Sequence, residues 1–321
     1  MYGLLPSAHT STEFIERVEV FKGPAAMLSG IAPSSSIGGV INIVPKRAGE
    51  QDLNRLTASY SSQSQLGLAA DVSRRFGQEK RLGVRVNGSY NNGKTSLDDQ
   101  KKRARFGSLG LDYRGVGWNA ALDVWATNQD QANGSPLMVG FGTLGHVIQA
   151  PDASKNALRG TFANQTSTGI AARGEYEINR NWSVYAAAGA ARYWYQGYLN
   201  GTRVIVLNDA GDAQGQTYGQ AGYTHGVSAE TGLRGHFRTG AVDHQVVLSA
   251  SVQQKREGSA PSVTSASYTT NIYQPLSTPN LASFKNVNKT ADNTFTSLSL
   301  ADTLGFWDDK VALTLGARAQ G

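Results

Sequence analysis

Glu16-Arg17-Val18-Glu19-Val20-Phe21-Lys22-Gly23-Pro24 runs through a small-residue segment into Gly38-Gly39-Val40-Ile41-Asn42-Ile43-Val44. Both ends of this stretch are β-rich runs bounded by turn formers: Gly23-Pro24 after the first, Gly38-Gly39 before the second and Pro45 after it. They predict two short paired strands. Between them, Ala25 to Ser29 predicts a brief helical turn ending at Gly30, and Pro33 to Ser36 reads as loop. About thirty residues are far too few to bury a core of their own, so the unit must pack inside something larger.

What surrounds it is set by the alternation that begins near Asn54. Leu66, Leu68, Ala70 and Val72 fall on one face, with Gln65, Gly67, Asp71 and Ser73 on the other. Leu82, Val84, Val86 and Tyr90 oppose Arg81, Arg85, Asn87 and Ser89, and the same pattern recurs through Trp118 to Val124, Ile170 to Ile178 and Val242 to Val252. A soluble sandwich also alternates, so the lengths of the connections must separate it from a membrane barrel. Junctions at 76–79, 115–117, 178–181, 237–240 and 307–309 are short. Those at 92–104, 128–165, 196–219 and 257–293 are long, with 61–64 the one exception. Short turns on one side and long loops on the other are the habit of outer-membrane barrels, whose short side is periplasmic. Trp118, Trp182 and Trp307 each lie beside a short turn, where an aromatic girdle belongs.

Composition agrees. The 321 residues are 40% hydrophobic and only 17% charged, low in charge for a soluble chain of that length. No window approaches the ~20 consecutive apolar residues of a membrane helix, whereas barrel strands hide their apolar residues by alternation. There are 37 glycines, 13 tyrosines and no cysteine, which suits a β-rich protein without disulfides or thiolate metal sites. The net charge of +6 raises nucleic acid or anionic lipid as partners. Lys101-Lys102-Arg103 is the one sharp basic run, it reads as part of a polar loop with Asp98-Asp99, and no aromatic-interleaved basic stripe accompanies it, so nucleic acid is set aside.

The opening stretch resembles the end of the plug domain of TonB-dependent outer-membrane receptors, most closely those for ferric siderophores. That family's plug carries an ERxEVxxGPxxxLYG stretch followed by GGxxNxVTK, and Glu16, Arg17, Glu19, Val20, Gly23, Pro24, Leu28, Gly30, Gly38, Gly39, Asn42, Val44 and Lys46 stand in matching places. Ser29 replaces a common aromatic, and Pro45 replaces a common Thr and predicts an early strand end. The resemblance implies an all-β chain: residues 1–50 as the C-terminal part of a plug, and 51–321 as about eleven strands of a partial transmembrane antiparallel barrel, where plugged transporters have roughly 22. The expectation is therefore an incomplete chain. No signal peptide opens it, no energy-coupling box precedes the plug, and Arg318-Ala319-Gln320-Gly321 lacks the terminal aromatic of a finished barrel. Half a barrel leaves two sheet edges that lipid cannot satisfy, so this chain alone is expected not to transport.

For the parent receptor the resemblance implies binding of a ferric siderophore, energy from the TonB-ExbB-ExbD complex, residence among outer-membrane lipid of a Gram-negative bacterium, and no enzyme activity or cofactor, iron entering only as cargo. A receptor for haem, cobalamin or a glycan, or a passive porin, stands as the alternative. The plug apex falls just upstream of Glu16, which makes Tyr2, Leu4 and Leu5 candidate ligand contacts, with a plain chain end the competing reading. Tyr193, Trp194, Tyr195 and Tyr198 cluster at the outer end of a strand. Catechol or hydroxamate surfaces pack well on aromatics, but alternation allows at most half of the four to face the lumen, with Tyr193 and Tyr195 the candidates. Glu16, Arg17 and Glu19 resemble the charged residues that tie plug to wall, with Arg85, Arg173, Glu175, Glu230 and Arg234 as possible partners; isolated solvated charges are the equal alternative. The five histidines, His9, His146, His225, His236 and His244, have no ligand spacing, so no protein-built iron or haem site is expected. No spacing singles out a catalytic triad.

Overall fold

The computed structural model describes residues 4, 11–22, 39–135, 138–199, 202–276, 279–307 and 310–321. The turn after Phe21-Lys22 and the small-residue segment of the opening stretch lie outside them. Its two strands are present: β1 (Ile15–Lys22) pairs antiparallel with β2 (Gly39–Pro45), which ends at the proline that withholds a donor from further pairing.

The wall begins with β3 (Leu53–Ser61), β4 (Gln65–Phe76), β5 (Leu82–Lys94), β6 (Lys101–Arg114) and β7 (Trp118–Ala132). After the short β8 (Met138–Gly140) it continues with β9 (Phe162–Asn179) and β10 (Trp182–Tyr198), then β11 (Arg203–Val206) and β12 (Asp212–Gln216) leave it. It resumes with β13 (Tyr218–Thr239) and β14 (Val242–Ser259), passes β15 (Val263–Thr264) and β16 (Tyr268–Asn271), and finishes with β17 (Asn288–Phe306) and β18 (Val311–Gln320). The wall runs in the order β18-β17-β14-β13-β10-β9-β7-β6-β5-β4-β3, every neighbour antiparallel, with β3 and β18 at opposite ends of the row. The alternation marked the same eleven strands, mostly one to four residues short at the outer ends.

The register puts the two sequence faces on the two sheet faces. Leu66, Leu68, Val72, Val86, Leu109, Val124, Ile170, Leu248, Leu298 and Leu313 are all exposed on one side, as a lipid-facing wall requires. Beside the short turns, Trp118 stacks on Tyr113 (centroids 4.6 Å apart) and Trp182 on Phe237 (6.3 Å). Inward, large rings lie flat across the neighbouring strand where that strand has glycine. Trp125 covers Gly169, and a Cβ at Gly232 would stand 2.6 Å from Tyr185 Cε1.

The outer loops contain a sheet that the alternation did not reveal. Strands β16-β12-β11-β8 pair in that order, with β8 parallel to β11. Its core is Val204, Val206 and Ala213, fully buried, with Ile272, against which Phe141, Leu144, Ile148, Ala157 and Tyr273 pack. Asp98-Asp99 lie in a loop as expected, but Lys101-Lys102-Arg103 belong to β6. The polar composition that marks a loop also suits a strand end that rises past the membrane.

Candidate functional site

Two regions carry the functional expectation: the junction of the β1–β2 hairpin with the wall, and the outer aromatic residues.

At the junction, Phe14 leads into β1 and stacks on Phe106 of β6 (5.5 Å) and Trp125 of β7 (6.2 Å). These three are buried together with Leu4 and Ala171, with Ile15, Ile43 and Ala191 around them. The hairpin therefore sits on the inward face of the wall, which Phe106 and Trp125 occupy because alternation sends the adjacent leucines and valines outward. Leu4, a candidate ligand contact, is only 6% exposed and packs in this cluster. Its place is that of a packing residue. Tyr2 and Leu5 lie outside the described residues.

Downstream of Pro45 the chain is fastened to four wall strands in succession. Lys46 Nζ donates to Asp71 Oδ2 (3.2 Å), and Arg85 donates to both oxygens of the same carboxylate (2.8 and 2.7 Å). The Asn87 amide, oriented with its nitrogen toward that carboxylate, donates to Asp71 Oδ1 (3.0 Å) and to the Glu13 carbonyl (3.2 Å). Arg47 makes a two-pronged pair with Asp123, the second bond 2.6 Å long, and its carbonyl accepts from Arg85 (2.7 Å). Arg75, whose side chain is 1% exposed, donates to the Ala48 carbonyl (2.9 Å), to Asp112 (2.7 Å) and to the carbonyls of Lys80 and Arg81. Arg114 and Lys80 hold Glu50 through its carboxylate and its carbonyl. Charge-assisted bonds of this kind are about twice as strong as neutral ones, and burial makes each partner costly to strand.

The residues expected to tie plug to wall are arranged differently. Arg17 donates to Glu19 (2.7 Å), and Glu19 accepts from Asn42 (2.8 Å) across the hairpin, so this pair holds β1 to β2. Those bonds hold the Glu19 carboxyl below the usual carboxylate range, the Asn42 bond contributing most. Glu16 is exposed. Glu230 accepts from the Tyr185 hydroxyl (2.8 Å), and Arg234 pairs with Glu175 (2.7 Å) while lying 4.2 Å over the Tyr185 ring. Both belong to a network of the wall itself. It borders a cavity of about 530 Å³ that also takes in Arg47, Asp112 and Arg173, so it adjoins the junction without bonding to the hairpin. Of the expected partners, Arg85 is the one that fastens the linker. Lys46 and Arg47, the residues that do the fastening, went unassigned: a basic pair after a proline looks like any linker, and only the inward acids Asp71, Asp112 and Asp123 on β4, β6 and β7 signal its destination.

At the outer end, strand alternation divides the aromatic residues as expected. Tyr193 and Tyr195 face inward and stack on each other (5.6 Å), and the Tyr193 hydroxyl donates to Gln165 (2.6 Å). Trp194 faces outward, 40% exposed. Tyr198 is buried beneath the loops, donates to the Ala282 carbonyl (3.0 Å), and sits edge-on to Phe162 and Phe284. The inward tyrosines present aromatic surface with one hydroxyl anchored, which suits a flat ligand face.

No family model matches the chain. A ferrichrome receptor, FcuA, of Yersinia enterocolitica is 36% identical over 328 residues, covering all of this chain and 43% of the relative. Among solved structures, the ferric preacinetobactin receptor BauA of Acinetobacter baumannii superposes with a TM-score of 0.84 at 32% identity, over 97% of this chain and 47% of that one. The siderophore receptor PiuA of the same organism gives 0.76 at 17% identity over 98% and 48%, a likeness of fold. The chain thus spans a little under half the length of the relatives it matches. Over all or nearly all of its length the chain is similar to part of the ferrichrome receptor and to part of the ferric preacinetobactin receptor, and it shares the fold of the latter.

Proposed function

We propose that residues 1–50 are the end of a plug, that 51–321 are part of the barrel that encloses it, and that the receptor takes up a ferric siderophore across the outer membrane of a Gram-negative bacterium. The observation that carries this reading is the run from Lys46 to Glu50, pinned to the inward face of β4–β7 by buried ion pairs. A wide lumen is selective only when blocked, and a blocking piece must be tethered if it is to move and return. Iron arrives as cargo inside its chelate and no protein-bound metal is invoked. Energy reaches the plug from the TonB-ExbB-ExbD complex on the periplasmic side. Tyr193 and Tyr195 meet the catechol or hydroxamate faces of the incoming ligand. Glu16 and Arg17, exposed on the hairpin, meet wall on the opposite side of the lumen.

The ferrichrome and preacinetobactin receptors among the relatives support a siderophore over other bulky nutrients. The test is uptake of radioactive iron by the iron-starved source bacterium before and after disruption of the gene, offered hydroxamate, catecholate and mixed chelates in turn, with and without an uncoupler. Energy-dependent loss of one chelate class is the expected result. Unchanged iron uptake with loss of haem or cobalamin uptake would overturn it.

A further inference from the structure

Lys255 of β14 is a lysine turned inward near the top of the wall, and its side chain is only 10% exposed. Its direction follows from alternation: Val252 is exposed on the outward face, which turns Gln253, Lys255 and Glu257 to the lumen. Among the described residues its one ion-pair partner is Glu257, at 2.8 Å, two residues farther up the same strand. An ammonium group has three donors, and a buried one is costly to leave unmet. A lysine answered by a single carboxylate therefore holds donors in reserve.

Register places this pair beside the inward tyrosines. Glu257 stands opposite Thr224 of β13, and Thr224 opposite Tyr193 of β10. One inward row lower, Lys255 stands opposite Gly226, and Gly226 opposite Ala191. Tyr195 reaches from β10 across Gly222, where a Cβ would stand 2.6 Å from its hydroxyl oxygen. At Gly226, by contrast, a Cβ would meet nothing within 4 Å. Farther down, Leu4 lies over Gly189, its Cδ1 2.7 Å from where a Cβ would be. The result is a recess with Ala191 and Gly226 as its floor, Tyr193 and Tyr195 above, Leu4 below, and the Lys255–Glu257 pair along the β14 side. At about 4.8 Å per strand it measures roughly 10 Å from β10 to β14.

A lysine paired with a glutamate brings donors but no net charge. A ferric hydroxamate, in which each chelating group gives up one proton, is a neutral complex, and a ferric catecholate, in which each gives up two, is an anion. The neutral complex can take the spare Lys255 donors on its iron-bound oxygens at little desolvation cost. The anion must shed its water into a recess whose one cation is already spent on Glu257. We propose that Lys255 and Glu257 set the charge class of the cargo: Lys255 donates to the iron-bound oxygens of a chelate seated over Ala191 and Gly226, and Glu257, by keeping the recess neutral, admits ferric hydroxamates in preference to ferric catecholates. This rests on the reading of the chain as part of a siderophore receptor.

The test reads the receptor as the cell makes it. Variants are placed in the gene of the iron-starved source bacterium, and radioactive iron is offered as a hydroxamate or a catecholate chelate over a range of concentrations. The ratio of the two uptakes is internal to each strain, so the amount of receptor cancels from it. The original receptor is expected to favour the hydroxamate. E257Q frees the cation and should lower the half-saturating concentration of the catecholate about tenfold, with the hydroxamate value little changed. K255Q should raise the hydroxamate value about tenfold at an unchanged maximal rate per receptor, and K255R should restore it. K255Q/E257Q leaves no buried charge unpaired, so it tests the donors even where a single change destabilises the wall: hydroxamate uptake weakens and the catecholate stays excluded. An original receptor that favours the catecholate, a ratio that E257Q does not move, or an equal fall in maximal rate for both chelates in every variant would overturn the assignment, the last making the pair purely structural. If disruption of the gene alters the uptake of neither chelate, the siderophore reading falls and the assignment with it. Uptake that depends on the gene while the ratio stays fixed sinks the assignment alone.

Discussion

Lys46–Glu50 and the outer-loop sheet are both segments held on the same wall, and they are held by opposite means. The inner segment is fixed by six basic side chains, three aspartates and a glutamate, several of them buried. The outer sheet is fixed by Val204, Val206, Ala213 and Ile272, with polar bonds confined mostly to its surface, such as Asn271 to Asp212 (3.0 Å). Paired buried charges have one satisfied geometry and are expensive in any other, while a small apolar core tolerates shifts. On the proposed reading the linker is the fixed end of a plug, and the hairpin upstream of it, held by stacking on Phe106 and Trp125, is the part able to move.

The comparison breaks most visibly if Arg75 is removed. Arg75→Ala removes the short bond to Asp112, whose Oδ1 already lacks a partner, and the bonds to the carbonyls of Ala48, Lys80 and Arg81, the last of which keeps the Arg114 amide. A loss of about 3–5 kcal/mol is expected, read as a lower urea midpoint for Trp125 fluorescence and as faster tryptic cutting after Lys46 and Arg47. Phe14→Ala should cost about 3 kcal/mol in hairpin docking while leaving the linker protected from trypsin, since it empties the stack without touching the ion pairs. If both segments lose protection together, the division into fixed and movable ends is wrong. Val204→Ala should cost about 1–2 kcal/mol, confined to hydrogen exchange in β8, β11, β12 and β16, with the junction unchanged.

The smallest effect concerns pH. The Glu19 carboxyl is held below its usual range by Asn42 and Arg17, so its contribution to hairpin pairing is complete above the ordinary carboxylate pKa and is lost as pH falls through the depressed folded value. Exchange protection of β1 and β2 should therefore weaken only below about pH 4.5. Glu19→Gln should remove that acid dependence and barely alter protection at neutral pH; an equal acid dependence in the variant would count against the assignment.

The wall was legible because a lipid face and a wet face impose a strict period over strands of 9 to 22 residues. The outer sheet was not, because strands such as β8, with 3 residues, and β11, with 4, are too short for any period to show. Tyr193 and Tyr195 were assigned to the lumen by parity alone, and the register bears that parity out. The charged junction was legible only in halves: Asp71 and Arg85 stood out as inward charges, but their bonds to Lys46 and to the Arg47 carbonyl are made across strands that only the folded wall brings together.

The rings laid across glycine have a consequence for the inner surface of the wall. Trp125 over Gly169 and Tyr185 over Gly232 lie along the inner surface instead of projecting from it. A wall carrying two of the largest side chains thus stays nearly as smooth at those points as one carrying methyl groups. Each glycine works as a recess, and filling it with a single carbon would stand the neighbouring ring up from the wall.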